Sequence, residues 1–279
     1  MSMIGVLGGV GPAAGILLHQ TILQHTVSNG VDEGHLNVCH LSRPGDIAHR
    51  LAFLQAVKEQ QQQGTATPTC DDERLTKDAG AGLENPADGM ARTYALLCQM
   101  DTPVVAGVAC ITFHAKPIWS EFTRLIDALP KHQVRCLNLL DEVVSMIAEV
   151  APQSRKIGVM STVGTRDARV FHDLLEPLGY EVVQVSEQTQ LELQDTISNP
   201  EWGIKSNAPV IQPCCIENFQ RYARQLVDDG AELIILGCTE IPFAFTGATS
   251  IDGVPLLDPL VALARALIRE VDPLRLKPL

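Results

Sequence analysis

The chain reads as an α/β protein with parallel sheets, in two similar halves, on three observations. Short β-branched or Leu-rich runs alternate with longer amphipathic stretches along its 279 residues. A glycine-rich strand and turn near the N-terminus returns in mid-chain. Each half then closes with an apolar run that ends on a cysteine. Parallel strands need long crossovers, usually helices, so such alternation favours a sheet covered on both faces.

The strand signals are Ile4–Leu7, Leu36–Leu41, Val104–Ala109, Val134–Leu137, Lys156–Met160, Glu181–Val185 and Leu233–Leu236. Helical patterns between them include Pro12–Thr26, Ala87–Met100, Leu140–Val150, Asp167–Leu178 and Asn218–Asp229. Pro12 sits near a helix start, and Gly179 and Gly230 follow helix ends, where proline and glycine respectively fit. Val254–Pro259 and the amphipathic Leu260–Val271 read as a last strand and helix, the helix returning to the first half.

The repeat sets Ile4-Gly5-Val6-Leu7-Gly8-Gly9-Val10-Gly11 against Ile157-Gly158-Val159-Met160-Ser161-Thr162-Val163-Gly164. Ile4 lies 106 residues before Cys110, and Ile157 lies 81 before Cys238. The difference matches the polar stretch Gln60–Glu84, which reads as an inserted surface loop, long enough to act as a lid near a cleft. This organisation predicts a first domain of 1–125 plus 250–279, a second of 126–249, and a pseudo-twofold relation between them. Ligands in open α/β sheets sit at the carboxyl ends of strands, so both cysteines point at one interdomain cleft.

Composition narrows the function. The apolar fraction is 46% and the aromatic fraction 4%, so the core is built mainly of Leu, Ile, Val and Ala. The formal charge of −12 argues against nucleic acid or an anionic membrane as partner. An anionic substrate must therefore be drawn by a few local cations against the global field. Eight cysteines without a C-x-x-C pair argue against a disulfide framework, and no apolar run approaches ~18 residues. The N-terminus lacks the basic region of a signal peptide, and the expected compartment is the cytoplasm. His35, Cys39 and His40 lie along one strand, where alternation sends the neighbours Cys39 and His40 to opposite faces, which argues against a metal site there.

Gly9-Val10-Gly11-Pro12-Ala13-Ala14 matches a dinucleotide turn, but no acidic residue ends the next strand, which runs into Ser42-Arg43. The same turn can offer backbone N–H groups to a substrate carboxylate with no cofactor. Cys39, Cys98 and Cys136 read as core filler, and Cys70, Cys214 and Cys215 have no partner pattern. Cys110 and Cys238 differ: each ends a strand, each has a Thr within two residues, and they are repeat equivalents. Two thiols facing one carbon can act as base and acid and exchange those roles, provided the base has a lowered pKa, which following helix N-termini could supply. His114, four residues past Cys110, is better placed to pack or tune the thiol than to deprotonate it.

Taken together, Ile4–Pro12, Arg50 in Ala48–Phe53, Cys110-Ile111-Thr112, Lys156–Thr165, Gly203-Ile204-Lys205 and Gly237–Pro242 resemble the aspartate/glutamate racemase family. The resemblance runs from Ile4 to about Ile268, and its most specific piece is the second cysteine motif. It implies two flavodoxin-like domains, a homodimer, no pyridoxal phosphate, no metal, and proton exchange between Cys110 and Cys238. It further implies a small acidic amino acid as substrate, aspartate before glutamate. One substrate carboxylate would lie on Arg50 and Lys205; the other would lie near Thr112, Thr239 and Thr165. Gly9, Val10, Gly11, Ile111 and Glu240 complete the expected substrate-binding set, and Arg43 is an additional candidate cation.

Two positions depart from the family pattern. Ile111 stands where Asn is usual, which removes a polar group beside the substrate, and Phe171 stands where Tyr is common. The alternatives on the same fold are a cysteine-dependent isomerase or decarboxylase of a dicarboxylic acid, and an inactive amino-acid-binding homologue.

Overall fold

The computed structural model describes residues 2–62 and 83–279. Four parallel strands form the first sheet: β1 (Met3–Gly8), β2 (Val38–Ser42), β3 (Val104–Val108) and β4 (Val134–Leu137), in the order β2-β1-β3-β4. Its register sets Ile4 against Val38 on one side and Val105 on the other. Helices α1 (Pro12–His25), α2 (Arg50–Gln62), α3 (Pro86–Leu97), α4 (Lys116–Asp127) and α5 (Leu139–Val150) accompany it.

The second sheet contains β5 (Lys156–Ser161), β6 (Glu181–Val183), β7 (Leu233–Gly237), β8 (Ser250–Ile251) and β9 (Val254–Leu257), in the order β6-β5-β7-β9-β8. It is parallel apart from β8, which pairs antiparallel with β9. Its helices are α6 (Val163–Asp167), α7 (Val170–Leu175), α8 (Glu187–Ser198), α9 (Ile204–Asn207) and α10 (Pro213–Asp228), and α11 (Pro259–Val271) closes the chain.

The repeat is thus topological. In each sheet the glycine-rich strand, β1 or β5, lies between the next strand in sequence and the strand that runs into the cysteine. Strand alternation then divides the core. Ile157 and Val159 of β5, with Leu233 and Ile235 of β7, join the apolar core that runs through the first sheet. Met160, Ile234 and Leu236 point the other way, onto Leu193, Phe219 and Tyr222. Both faces of the second sheet are buried, as a parallel sheet requires.

Strand pairing adjusts the expected boundaries at two places. Val134–Leu137 lies past residue 125 yet pairs with β3 in the first sheet. Residues 250–257, expected with the first domain, form β8 and β9 beside β7. Only α11 returns as expected, packing on α1, α5 and β3. The physical reason is local: β9 follows β7 through a short 3-10 turn and a tight hairpin, so it pairs with its near neighbour, while the amphipathic helix buries Leu260, Leu263, Leu267 and Ile268 in the first-sheet core.

The segment expected as one helix, Asp167–Leu178, is broken. Arg169 adopts φ 52° between α6 and α7, and a 3-10 turn, Glu176–Leu178, ends the segment. Of the expected insertion, residues 60–62 finish α2, and 63–82, with Cys70 and the suggested lid, lie outside the described residues.

Candidate active site

The carboxyl ends of the equivalent strands deliver the site. Cys110 follows β3 and Cys238 follows β7, each only 6% exposed, and both line one narrow cavity of about 50 Å³. Val10, His49, Arg50, Leu51, Ile111, Thr112, Thr162, Lys205, Thr239 and Glu240 complete its lining. Of the residues expected from sequence, Val10, Arg50, Cys110, Ile111, Thr112, Lys205, Cys238, Thr239 and Glu240 are brought together there.

Gly9, Gly11 and Thr165 stand just behind this lining. Gly9 (φ +92°) turns the chain out of β1. Gly11 adopts φ +144°, which only glycine accommodates easily, and a Cβ there would come within 2.6 Å of Glu240 Oε1. A carboxylate over this helix start works against a pyrophosphate at the same place. Thr165 lies in α6, and its hydroxyl is 2.9 Å from that of Thr112 and 3.0 Å from that of Thr162. Three hydroxyls therefore connect the β3 end of the first sheet to the β5 end of the second.

The cations have separate supports. Arg50 opens α2, and its Nη2 donates to the Val10 carbonyl at 3.0 Å, which ties the helix to the glycine turn. Lys205 lies in the single turn of α9; the residue is exposed overall, but its side chain reaches the cavity. The Glu240 carboxylate raises the Lys205 pKa, outweighing the opposing effect of burial. Arg43 pairs with Asp46 and does not line the cavity.

The two cysteines differ in their surroundings. Cys238 Sγ donates to Glu240 Oε2 at 3.1 Å, and the Thr239 hydroxyl donates to the same oxygen at 3.3 Å. Burial, and then the Glu240 charge, push the Cys238 thiol pKa up, with Lys205 opposing. The expectation of a thiol lowered by a helix N-terminus therefore fails at Cys238. The reason is geometric: a 3-10 turn, Ile241–Phe245, follows it, and the nearest charge is a carboxylate. Cys110 is likewise followed by a 3-10 turn, Thr112–His114.

His114 is structural. Its Nδ1 donates to the Cys110 carbonyl at 2.8 Å, its Nε2 accepts from the Leu139 N–H at 3.4 Å, and its ring stacks on Trp119 at 4.3 Å. Burial lowers its pKa to about 4, so the ring is neutral and holds the Cys110 turn in place. Phe171 is buried against Gly237, just before Cys238, where a Cβ would meet its ring edge at 3.0 Å.

His49, Leu51 and Thr162 are lining residues that the sequence reading does not single out. Thr162 was detectable as the repeat partner of Gly9. His49 and Leu51 flank Arg50 at the start of α2, a helix absent from the segments read as helical. Among the described residues no group of three or more His, Cys, Asp or Glu side chains could hold a metal ion. No described helix is long and apolar enough to cross a membrane.

Fold and cavity together describe an α/β protein of two largely parallel sheets, with a cavity at their strand ends lined by a cysteine from each half. The family model for Asp/Glu/Hydantoin racemase matches residues 52–267, and the chain belongs to that family. It is thus a racemase that works without pyridoxal phosphate. Solved structures share the fold. The aspartate racemase of Picrophilus torridus superposes with a TM-score of 0.67 at 18% identity, covering 97% of this chain and 93% of that one. An aspartate racemase homologue from Pyrococcus horikoshii gives 0.64 at 19%, covering 97% and 99%. The glutamate racemase of Francisella tularensis, solved with D-glutamate, gives 0.53 at 16%, covering 96% and 81%.

Proposed function

We propose that this racemase interconverts the enantiomers of an acidic amino acid, aspartate before glutamate, by proton transfer between Cys110 and Cys238. The observation that carries the reading is one cavity lined by both cysteines, two cations and one carboxylate. Arg50 and Lys205 take the side-chain carboxylate, against a chain charge of −12. The α-carboxylate lies on the hydroxyls and amides around Thr112 and Thr239, and the ammonium faces Glu240. One cysteine, as thiolate, removes the α-proton; the other, as thiol, returns a proton to the opposite face. The fixed donors around the α-carboxylate stabilise the enolate-like dianion that forms between the two transfers.

The reading extends to a cytoplasmic homodimer. Seven cysteines of the described residues are free, which suits a reducing compartment. The test is α-proton exchange in heavy water, with L-aspartate and L-glutamate supplied separately and no pyridoxal phosphate added. Deuterium at Cα with growth of the D-enantiomer is the expected result; exchange with neither acid overturns the assignment.

Ile111, only 2% exposed and part of the cavity lining, favours a second reading. An apolar side chain beside the substrate suits a dicarboxylic acid that lacks an ammonium group, isomerised or decarboxylated by the same cysteines. Turnover of a maleate-type acid without any exchange of aspartate or glutamate would select it.

A further inference from the structure

We propose that Glu240 assigns the starting roles of the two cysteines: it holds Cys238 as the thiol acid of the empty site and leaves Cys110 to begin as the base. The inference rests on the two-cysteine reading above and specifies which proton is where before substrate arrives.

The geometry is asymmetric although the fold repeats. Cys238 donates to the Glu240 carboxylate at 3.1 Å, inside a cavity where Glu240 is 3% exposed. A thiolate at Cys238 would lose that hydrogen bond and face a buried carboxylate, so charge and hydrogen bonding both favour the thiol. Thr239 donates to the same oxygen at 3.3 Å and helps to hold it there. Lys205, Arg50 and His49 also line the cavity, and Lys205 is the cation that offsets the carboxylate at Cys238. Among the described residues no carboxylate accepts a hydrogen bond from Cys110, which shares the field of Lys205. Two halves related by a repeat thus present a free thiol and a carboxylate-bound one.

The consequences balance. The Cys110 thiolate takes the α-proton as the C–H bond breaks and its electron pair enters the enolate. The Cys238 S–H then breaks as the new C–H forms on the other face. The cycle leaves a thiol at Cys110 and a thiolate at Cys238 beside Glu240, and Cys110 must lose a proton and Cys238 gain one before the next identical turnover. The enantiomer whose α-hydrogen faces Cys110 meets the resting enzyme ready. The other meets it in the wrong protonation state. The equilibrium between enantiomers is symmetric, so kcat/KM is equal in both directions, and the asymmetry appears in kcat and KM separately.

The test reads the thiol directly and needs no turnover. The pH titration of ultraviolet thiolate absorbance in Cys110→Ser, minus that in Cys110→Ser/Cys238→Ser, isolates Cys238. The expected result is no Cys238 thiolate at the ordinary thiol pKa of about 8.5. Adding Glu240→Gln should move the transition down by at least about one pH unit, a tenfold change in thiolate ratio. Glu240→Asp, which keeps the charge, should restore most of the upward shift and shows that lost packing is not the cause. A Cys238 transition at or below the ordinary value with Glu240 present, or one unmoved by Glu240→Gln, overturns the proposal. Absence of α-proton exchange would instead remove the racemase assignment and leave this titration standing.

Discussion

The hydroxyl of Thr112, on the turn after β3, lies 2.9 Å from that of Thr165 in α6, so the two halves are joined by a hydrogen bond beside the cavity that Cys110 and Cys238 line. Thr165 is 1% exposed and also pairs with Thr162, and removing its hydroxyl takes a partner from buried Thr162 and from half-buried Thr112. Leaving such a group unpaired costs ~1–3 kcal/mol. Thr165→Val should lower kcat about tenfold with little change in fold. A double-mutant cycle with Thr112→Val should show coupling of roughly 1 kcal/mol; strictly additive losses would mean that the contact plays no part in catalysis.

Cys110→Ala and Cys238→Ala should each abolish racemisation. Cys238→Ala keeps Cys110 as base and should still exchange the α-proton of one enantiomer, whereas Cys110→Ala keeps only the carboxylate-bound thiol and should exchange that of the opposite enantiomer far more slowly. Chiral chromatography with deuterium incorporation measures both. Full racemase activity in either variant removes the two-base scheme.

Gly164 allows the halves to approach. A Cβ there would fall 1.8 Å from Leu51 Cδ2, an overlap that the Leu51 side chain must relieve by moving its tip. Gly164→Ala should raise KM and lower kcat together, because Leu51 also lines the cavity. Leu51→Ala in the same chain makes room and should recover part of the loss. If the double variant is worse than Gly164→Ala alone, the overlap is not the cause.

His114 predicts an acid-sensitive stability. Its pKa falls from 6.5 to about 4 on folding because burial disfavours the charged ring. Below pH 6.5 the unfolded chain takes up a proton that the folded chain refuses. This contribution is therefore intact above pH 6.5 and is lost progressively as the pH falls from 6.5 towards 4. A shift of this size corresponds to about 3 kcal/mol. Urea unfolding of the wild type at pH 7 and pH 5, compared with His114→Gln, should show a smaller drop in the variant. Equal drops would place the acid sensitivity elsewhere.

Much of this was readable before the fold was known. Strands announce themselves as short β-branched runs, and the paired Ile-Gly-Val segments at Ile4 and Ile157 locate the centre of each sheet without structural information. Cys110, Cys238 and their following threonines stood out for the same reason, since a repeat preserves position. The helices at 50–62 and 187–198 escape a reading by periodicity because their apolar positions are few and interrupted by polar residues, whereas Lys116–Asp127 carries a clear helical pattern, with Ile118, Phe122 and Ile126 on its buried face. Phe53, Leu54 and Val57 mark only one and a half turns of α2 before the glutamine run. Missing α2 also hid His49 and Leu51.

The sequence by itself determined the α/β class, the two halves and the pair of cysteines, because these follow from periodicity and repetition along the chain. Only the tertiary structure decided that the two cysteines are unequal. Glu240 is two residues from Cys238 in sequence, but whether its carboxylate turns outward or accepts the thiol proton depends on Gly11, Lys205 and Thr239 packing around it. The register of β9 was likewise settled in three dimensions, since an apolar strand satisfies either sheet until its neighbours are in place. Hydrogen-bond partners and local field come from elements distant in sequence, and no local pattern encodes them.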